Sequence, residues 1–571
     1  MDQQKNLIIA ITLSIVILLG FQYFFARHPE QAAPPPATQT TAPAAQSAAP
    51  AAAPGAAGNL TPAVTAVPRE QVLSKAPRVA IDTPRLHGSI NLRGGRIDDL
   101  TLVNYRETTD PDSPEIVLLA PDSSEHAYFL QFGWVPSDPT AKVPGPDTIW
   151  TSGGGELTPD HPVELSWDNG EGLHFIRRYA IDGNYMFTLT QRVTNDGTAK
   201  VGLYPYALIS RAGEVPVSST YLLHEGPIGV IDSTLKEIKY SSLKGAPPVE
   251  ADTTGGWLGI TDKYWLTALI PDQKAAVKTR FTHAERDKTD VYQVDDRGSE
   301  HTIEPGSSAT IEDRFFAGAK EVALLDRYET EYHIPRFDRA IDFGWFYFLT
   351  KPIFLTLDFF YKLIGNFGLA ILLLTVIIKA LFFPLANKSY KAMSKMKQLQ
   401  PEMQKLRERF GEDKARLNQE MMALYKRVGA NPMAGCLPIV IQIPVFFSLY
   451  KVLYVTIEMR QAPFYGWIHD LSAPDPTSFV NLFGLLPFVP PDISFLHIGA
   501  WPLIMGCTMF LQQKLNPAPP DPMQAKMFMI LPVVFTFMLA QFAAGLVIYW
   551  SWNNLLSIAQ QWLIMRRANT T

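Results

Sequence analysis

The pattern of hydrophobic and polar positions divides the chain into a short apolar start, a polar middle and a strongly apolar second half. Near the start, Leu7 to Phe25 is apolar except for four polar residues. This run of about 19 residues is longer than a signal-peptide core and close to the length that spans a bilayer. Residues 1–28 are therefore predicted to form an uncleaved transmembrane anchor, although the small residues Ala32 and Ala33 leave a cleaved signal peptide open.

Residues 29–76 differ in composition, because they are rich in alanine and proline and carry almost no charge as far as Pro68. Such a stretch contains too few large apolar residues to bury a core. It is predicted to be a disordered or partly extended linker.

Residues 77–333 contain short runs in which apolar and polar positions alternate, separated by turn sequences. His174–Ile181 and Tyr185–Val193 flank the turn Asp182-Gly183-Asn184. This combination is typical of a β-hairpin. No helical periodicity is evident before about residue 320. About 250 residues of this pattern fit one large all-β sandwich.

Apolar segments of spanning length dominate the second half. Five spans are predicted, at residues 366–386 and at about 437–457, 499–515, 527–542 and 545–565. Kinks are expected at Pro438, Pro444 and Pro532. The preceding segment, 334–365, is rich in aromatic residues but carries several charges. It is predicted to be an amphipathic helix at the membrane interface, with a poor spanning helix as the alternative.

Charge decides the predicted topology. Between Asn387 and Gly435 there are 11 lysine or arginine residues against five acidic residues. The positive-inside rule places this loop in the cytoplasm. With the N-terminus also inside, the β domain lies outside, and a span at 334–365 would put the basic loop on the wrong side. The prediction is six spans with both termini in the cytoplasm.

The basic loop 387–435 has a helical pattern of its own. Its apolar residues recur at intervals of three and four on both sides of Gly411, which predicts a helical hairpin with two facing seams. Pro401 is predicted to break or kink the first helix. The hairpin either stays solvated and only sets the topology, or docks on anionic lipid, RNA or an acidic partner. The first seam comprises Met396, Leu399, Met403, Leu406 and Phe410, and the second comprises Leu417, Met421, Leu424 and Val428.

Composition and motifs exclude several functional classes. The formal net charge is only −5, and nothing indicates nucleic-acid specificity. Both cysteines, Cys436 and Cys507, lie in the apolar half, so no disulfide framework is expected in the β domain. The sequence has no Walker loop and no GxSxG, HExxH or CxxC motif. No catalytic residue, cofactor or metal is therefore predicted.

Lys379 is the residue that most needs an explanation, because it lies inside the apolar run 366–386. A cation in a membrane helix costs roughly 2.5–3.5 kcal/mol on insertion scales. Its ammonium either reaches the cytoplasmic headgroups or faces a hydrated cavity between the helices. Thr375 lies one turn away, and Gln442, Trp550, Ser551, Asn553 and Asn554 lie on other predicted spans, which favours a polar cavity open to the cytoplasm.

Three short stretches resemble the YidC/Oxa/Alb family of membrane-protein insertases. They are Asn431–Phe446, which reads NPMAGCLPIVIQIPVF, Gly545–Trp550, which reads GLVIYW, and Arg460–Phe464, which reads RQAPF. The order of anchor, large polar domain and five spans matches the YidC form of Gram-negative bacteria. The resemblance therefore implies a polytopic α-helical membrane protein, with a five-span insertase core at 366–565 and a periplasmic all-β supersandwich.

The resemblance also implies a function. The protein is expected to insert nascent membrane proteins into the bacterial inner membrane and help them fold, alone or with the Sec translocon, through a hydrophilic groove open to cytoplasm and lipid. Lys379 matches the groove position at which this family usually has arginine, so the charge is kept but the planar guanidinium is lost. The expected groove residues are Lys379, Thr375, Gln442, Tyr549, Trp550 and Asn553.

The remaining expectations concern partners. The hairpin residues Met396, Met403, Leu406, Leu417 and Met421 are expected to help receive the substrate. Accessory Sec components and membrane lipids are further expected partners, whereas a ribosome contact is left open because the tail 566–571 is short. Two alternatives are a transporter that uses Lys379 as a substrate or ion site, and a sugar-processing ectodomain with a carboxylate and histidine in a cleft.

Overall fold

The computed structural model describes residues 67–569 apart from 123, 125, 214–222, 287, 412, 430–436, 487–497 and 517–521. The predicted anchor and most of the predicted linker lie outside the described residues. So does the first part of the Asn431–Phe446 stretch.

Two antiparallel β-sheets face each other between Arg78 and Ala319. The first has ten strands and the second has nine. The strands are β1 (Arg78–Asp82), β2 (Leu86–Asn91), β3 (Arg96–Arg106), β4 (Glu115–Leu119), β5 (Tyr128–Pro136), β6 (Thr151–Ser152), β7 (Val163–Asp168), β8 (Leu173–Ile181), β9 (Met186–Asn195), β10 (Val201–Ala212), β11 (Gly226–Ile231), β12 (Thr234–Glu237), β13 (Val249–Thr254), β14 (Trp257–Thr261), β15 (Trp265–Ile270), β16 (Ala276–Arg286), β17 (Thr289–Arg297), β18 (His301–Ile303) and β19 (Ser307–Ala319).

The order of strands shows that chain neighbours are often sheet neighbours. The first sheet runs β1-β2-β3-β5-β10-β17-β16-β13, with β4 beside β3 and β18 beside β10. The second runs β12-β11-β14-β15-β19-β9-β8-β7-β6. The hairpin predicted around Asp182-Gly183-Asn184 is confirmed, since β8 and β9 pair with Ile181 opposite Phe187.

Aromatic side chains from the two sheets form the centre of the sandwich. The ring of Phe315 on β19 stacks on Phe187 of β9, with centroids 4.5 Å apart. Phe132 of β5 reaches the same ring from the opposite sheet, at 5.3 Å. All three side chains are buried. Alternation along strands such as β8 and β9 thus supplies one buried face to a shared core, as expected for packed sheets.

Helices precede, interrupt and follow the sandwich. They are α1 (Arg69–Leu73), α2 (Tyr240–Leu243), α3 (Val322–Glu331), α4 (Tyr347–Ile364), α5 (Phe367–Leu381), α6 (Phe383–Gln398), α7 (Gln400–Phe410), α8 (Lys414–Val428), α9 (Leu437–Val455), α10 (Ala500–Leu515), α11 (Pro522–Leu539) and α12 (Ala544–Asn569). Short 3₁₀ helices lie at Phe337–Ala340, Ile457–Met459 and Phe479–Gly484.

The span predicted at 366–386 is not one straight helix. α5 ends at Leu381, and α6 begins at Phe383 after a bend of 67°. Pro384 lies in the first turn of α6. Proline disfavours helical backbone at the preceding residue and removes a hydrogen-bond donor, which explains the break. Within the described residues, no helix taken alone is both long and apolar enough to cross a bilayer, whereas α5 and α6 together meet that criterion.

The sandwich and the helical core contact each other through side chains of the segment that follows α9. The Arg460 guanidinium donates to the backbone oxygens of Arg106 and Glu107 at the end of β3. A carboxylate oxygen of Glu458 accepts a hydrogen bond from the backbone N–H of Val322 at 2.8 Å. Contacts made by the core thus occupy backbone groups at the edge of the sandwich.

Candidate functional site

Lys379 lies in the last turn of α5, three residues before the bend at Phe382. The other end of α5 is capped by the Asn366 side chain, which accepts a hydrogen bond from the Leu369 N–H at 3.0 Å. A cation in the last turn is favoured by the partial negative charge of the helix C-terminus. The Lys379 side chain is half-buried rather than free in solvent.

The ammonium of Lys379 turns towards α12. Its Nζ donates a hydrogen bond to the Oγ of Ser557 at 2.7 Å. That hydroxyl donates in turn to the backbone oxygen of Asn553 at 2.8 Å. Ser557 is 2% exposed, so this chain of bonds lies between helices. Lys379 is therefore held inside the bundle and does not reach outward along the helix.

Thr375 lies one turn before Lys379 and is also buried, but its hydroxyl serves its own helix. Its Oγ1 donates to the backbone oxygen of Ile371 at 2.7 Å. The Trp552 indole N–H donates to the Leu372 oxygen at 3.2 Å, which gives α5 and α12 a second bond. The structure thus brings Thr375 to the same interface as Lys379 without a direct bond between them.

Gln442 and Tyr549 form a second polar contact on α12. The Gln442 amide donates to the Tyr549 hydroxyl, and Tyr549 is 3% exposed. Trp550 has an apolar environment, because its ring packs against Phe446 at 4.7 Å and Phe535 at 6.1 Å. Of the predicted groove residues, the structure joins Lys379 to the Asn553 turn and Gln442 to Tyr549, and it places Trp550 among aromatic rings.

Sequence reasoning missed Ser557, which is the direct partner of Lys379. Tyr549, Asn553 and Ser557 are spaced four residues apart and therefore lie on one helix face. Asn554 extends the polar sector by donating to the Thr508 hydroxyl of α10 at 3.2 Å. Gln561 donates to Asn516 at 3.2 Å. Ser557 could have been predicted from the sequence, because it lies one helical turn after Asn553 and therefore on the same polar face.

The hairpin residues form a small apolar cluster of their own. Leu399, Met403, Met421 and Leu424 are buried in it. The hydroxyl of Tyr425 contacts the Met403 sulfur at 3.9 Å. The break expected at Pro401 is confirmed, because α6 ends at Gln398 and Pro401 lies in the first turn of α7. The predicted residues that pack against this cluster while partly exposed are Met396, Leu406 and Leu417.

In the described residues, the buried carboxyl groups of Asp313 and Asp296 in the sandwich are not paired with a histidine. Burial raises the pKa of Asp313 to about 6 and raises that of Asp296 well above its ordinary value. Each accepts a hydrogen bond from a backbone N–H, that of Asp272 and that of Ala207 respectively. Within the described part of the chain, the histidines with ion-pair partners contact other carboxylates, which are Glu115, Asp168, Asp196 and Asp290.

The groove residues can bind and orient polar groups, but they offer little for covalent chemistry. Within the described residues, Lys379 has a hydroxyl partner and no carboxylate at ion-pair distance. The same residues contain no group of three histidine, cysteine or acidic side chains that could hold a metal ion. The arrangement presents one cation beside amide and hydroxyl groups, which is suited to non-covalent recognition of an anionic or polar segment.

Comparison with known families covers both halves of the chain. A family model described as the YidC periplasmic domain matches residues 78–356. A second, described as a 60Kd inner membrane protein, matches residues 359–571. The protein therefore belongs to a class of inner-membrane proteins in which a helical core carries a periplasmic β-sandwich.

Full-length relatives identify the family. A membrane protein insertase YidC of Granulibacter bethesdensis is 53% identical over 580 residues, covering 99% of this chain and 98% of the relative. That of Rhizobium meliloti is 52% identical over 575 residues, covering 99% and 96%. The chain belongs to the YidC family of membrane protein insertases, as the resemblance implied. An active YidC insertase crystal structure is similar at 17% identity and a TM-score of 0.36, covering 84% of this chain and 91% of that one.

Proposed function

We propose that the chain inserts nascent integral membrane proteins into the inner membrane and helps them fold through a hydrophilic groove around Lys379. The insertase name of its full-length relatives supports the activity. The observation that carries the mechanism is the half-buried Lys379 ammonium, which meets a hydroxyl on α12 and, within the described residues, no neutralising carboxylate. An unneutralised cation among polar groups offers a place for an acidic segment of a substrate.

The groove lowers the cost of moving a polar segment into the membrane. Transfer of polar or charged groups into hydrocarbon is expensive unless they find partners. The polar sector of α12, together with Gln442 and Lys379, supplies donors and acceptors at the predicted depth of the bilayer. The apolar helix of the substrate then supplies the driving force by leaving water for lipid. No bond of the substrate has to break.

The rest of the proposed arrangement follows from charge and from the hairpin. The excess of basic residues in 387–435 supports a cytoplasmic hairpin, six spans and cytoplasmic termini. The hairpin would receive the substrate first, at anionic headgroups. The periplasmic sandwich would bind Sec components when insertion occurs beside the translocon. The comparisons give the transporter alternative no support.

The test is insertion by the purified protein in liposomes. The substrates are two single-span proteins that differ only in whether the translocated flank is acidic or neutral. With the acidic flank, Lys379→Arg should keep insertion near the wild-type rate, because charge is retained. Lys379→Ala should reduce it several-fold, and Lys379→Glu should nearly abolish it, since a like charge repels the flank.

A charge reversal elsewhere serves as the control. Lys200 is exposed on the sandwich, so Lys200→Glu makes the same change in net charge far from α5 and should leave insertion unchanged. Wild-type rates with both Lys379→Ala and Lys379→Glu would contradict an electrostatic role for Lys379.

A further inference from the structure

The Lys379 ammonium depends on one hydroxyl group for its position. The Ser557 Oγ has a single hydrogen, which it donates to the Asn553 backbone oxygen at 2.8 Å. Its lone pairs are therefore left to accept, and one of them accepts from Lys379 at 2.7 Å. The internal bond to Asn553 thus fixes the direction in which Ser557 accepts.

A third helix lies beside the same hydroxyl. Tyr390 on α6 is 7% exposed, and its side chain lies close to Ser557. Ser557 therefore lies where α12 packs against the two helices that flank the bend. Because this hydroxyl is buried and already bonded to its own helix, its position is well defined.

The lysine itself has no such constraint. Its ammonium is a point charge on a flexible four-carbon stem, and close to a helix end it can reach outward to headgroups instead of inward. In the described residues no carboxylate pairs with it, so no ion pair selects the inward conformation. The hydrogen bond to Ser557 makes that selection.

We propose that Ser557 is a positioning residue that holds the Lys379 ammonium inward, where it meets the acidic flank of a substrate. The proposal rests on the groove function given above. An ammonium has three N–H donors, and the bond to Ser557 uses one, so two donors remain for a substrate carboxylate. Ser557 thereby orients the charge without neutralising it, which a carboxylate in its place would do.

The experiment measures liposome insertion of the acidic-flank and neutral-flank substrates by Ser557→Ala and Ser557→Thr. Ser557→Ala should slow insertion of the acidic-flank substrate roughly three- to tenfold, the effect of losing one hydrogen bond. It should leave the neutral-flank substrate close to wild type. Ser557→Thr keeps the hydroxyl and should restore most of the rate.

Ser551→Ala is the matched control. Ser551 is equally buried on α12, but its hydroxyl donates to Val547 of its own helix at 2.8 Å. This variant should insert both substrates normally. A second readout is labelling of Lys379 by a water-soluble amine reagent, quantified by peptide mass spectrometry, which should increase in Ser557→Ala and not in Ser551→Ala.

A double variant separates this inference from the proposed function. If Ser557 acts through Lys379, adding Ser557→Ala to Lys379→Ala should cause no further loss. Equal losses for both substrates, or additive losses in the double variant, would show that Ser557 is only structural and overturn the proposal. If Lys379→Ala slows insertion while Ser557→Ala does not, the positioning role fails and the groove function stands. If neither variant changes insertion, both fail.

Discussion

Arg177 shows how one polar residue joins the two sheets of the sandwich. It lies on β8 and is 2% exposed. Its guanidinium donates to the backbone oxygen of Phe132, on β5 of the opposite sheet, and to that of Gly94, in the turn between β2 and β3 of the same opposite sheet. It also lies 4.3 Å from the centre of the Trp150 ring. A planar group with five donors can make these contacts at once, which a lysine could not do.

Replacing Arg177 with methionine should destabilise the sandwich by about 2–4 kcal/mol, because two buried carbonyls lose charged donors. The measurement is urea unfolding of the detergent-solubilised protein followed by tryptophan fluorescence, to which Trp150 contributes. Arg178→Met is the control, since the neighbouring arginine is exposed and its loss should cost under about 0.5 kcal/mol. Equal unfolding midpoints for the two variants would refute the bridging role.

At the scale of elements, the first backbone N–H group of α3 donates its hydrogen bond to a residue of the helical core. The N-cap residue of α3, Glu321, makes no capping bond with its side chain. Its carboxylate instead accepts from Arg85 at 2.6 Å and from the Tyr105 hydroxyl at 3.0 Å. Glu458 supplies the missing acceptor to the Val322 N–H. A helix end of the sandwich is thus capped by a residue of the core.

This cap is predicted to depend on pH. The pKa of Glu458 is raised from its ordinary 4.5 to about 7, mainly by burial and also by the Glu321 and Asp358 carboxylates. The hydrogen bond from the Val322 N–H opposes this shift by lowering the pKa. The other carboxylate oxygen has no hydrogen-bond partner in the described residues, which suits a protonated group. Because the pKa is higher in the folded state, the protonated Glu458 carboxyl group stabilises the fold. This contribution to the free energy of unfolding is complete below about pH 4.5 and is lost as pH rises through 7.

The measurement is thermal unfolding of the purified protein at pH 5.5 and pH 8. The wild type should lose about 1–3 kcal/mol of stability between these values through Glu458. Glu458→Gln is always neutral and keeps the acceptor oxygen, so its pH dependence should be flatter. Glu156→Gln, at an exposed carboxylate, should behave like the wild type. An identical slope in the Glu458→Gln variant would exclude this residue as the cause.

For the whole molecule, α9 links the sandwich to the proposed groove. Gln442 near its start contacts Tyr549. Further along, Lys451 donates to the Asp342 carboxylate at 2.9 Å. The Lys263 ammonium of the sandwich lies 3.7 Å from the centre of the Tyr454 ring, and burial lowers its pKa to about 8. One helix therefore carries both the groove contact and a contact with the sandwich.

The proposed orientation can be tested by cysteine labelling. With Cys436 and Cys507 replaced by serine, single cysteines are introduced by Ser299→Cys in the sandwich and Gln398→Cys in the hairpin, both at exposed positions. A membrane-impermeant maleimide should label position 299 in intact spheroplasts and position 398 only after lysis. The reverse pattern would contradict the assignment by the positive-inside rule.

Particular residues show how far sequence reasoning reached into the site. Lys379 was identifiable because the cost of a cation in an apolar run is a local property. The β8–β9 hairpin was likewise readable from alternation and the turn at Asp182-Gly183-Asn184. Ser557 was missed because a serine in an apolar helix can equally well bond to its own backbone, as Ser551 does. The bend at Phe382 follows from Pro384, yet hydropathy averaged over a span conceals it.

The sequence by itself indicated a large β domain, a helical second half and the charge that needs a partner. These properties depend on neighbouring residues and on short spacings. Only the tertiary structure decided which groups meet. Lys379 and its partner Ser557 are 178 positions apart, and Glu458 caps a helix 136 positions away. Such contacts depend on how helices and sheets pack as whole bodies, and no local pattern specifies them.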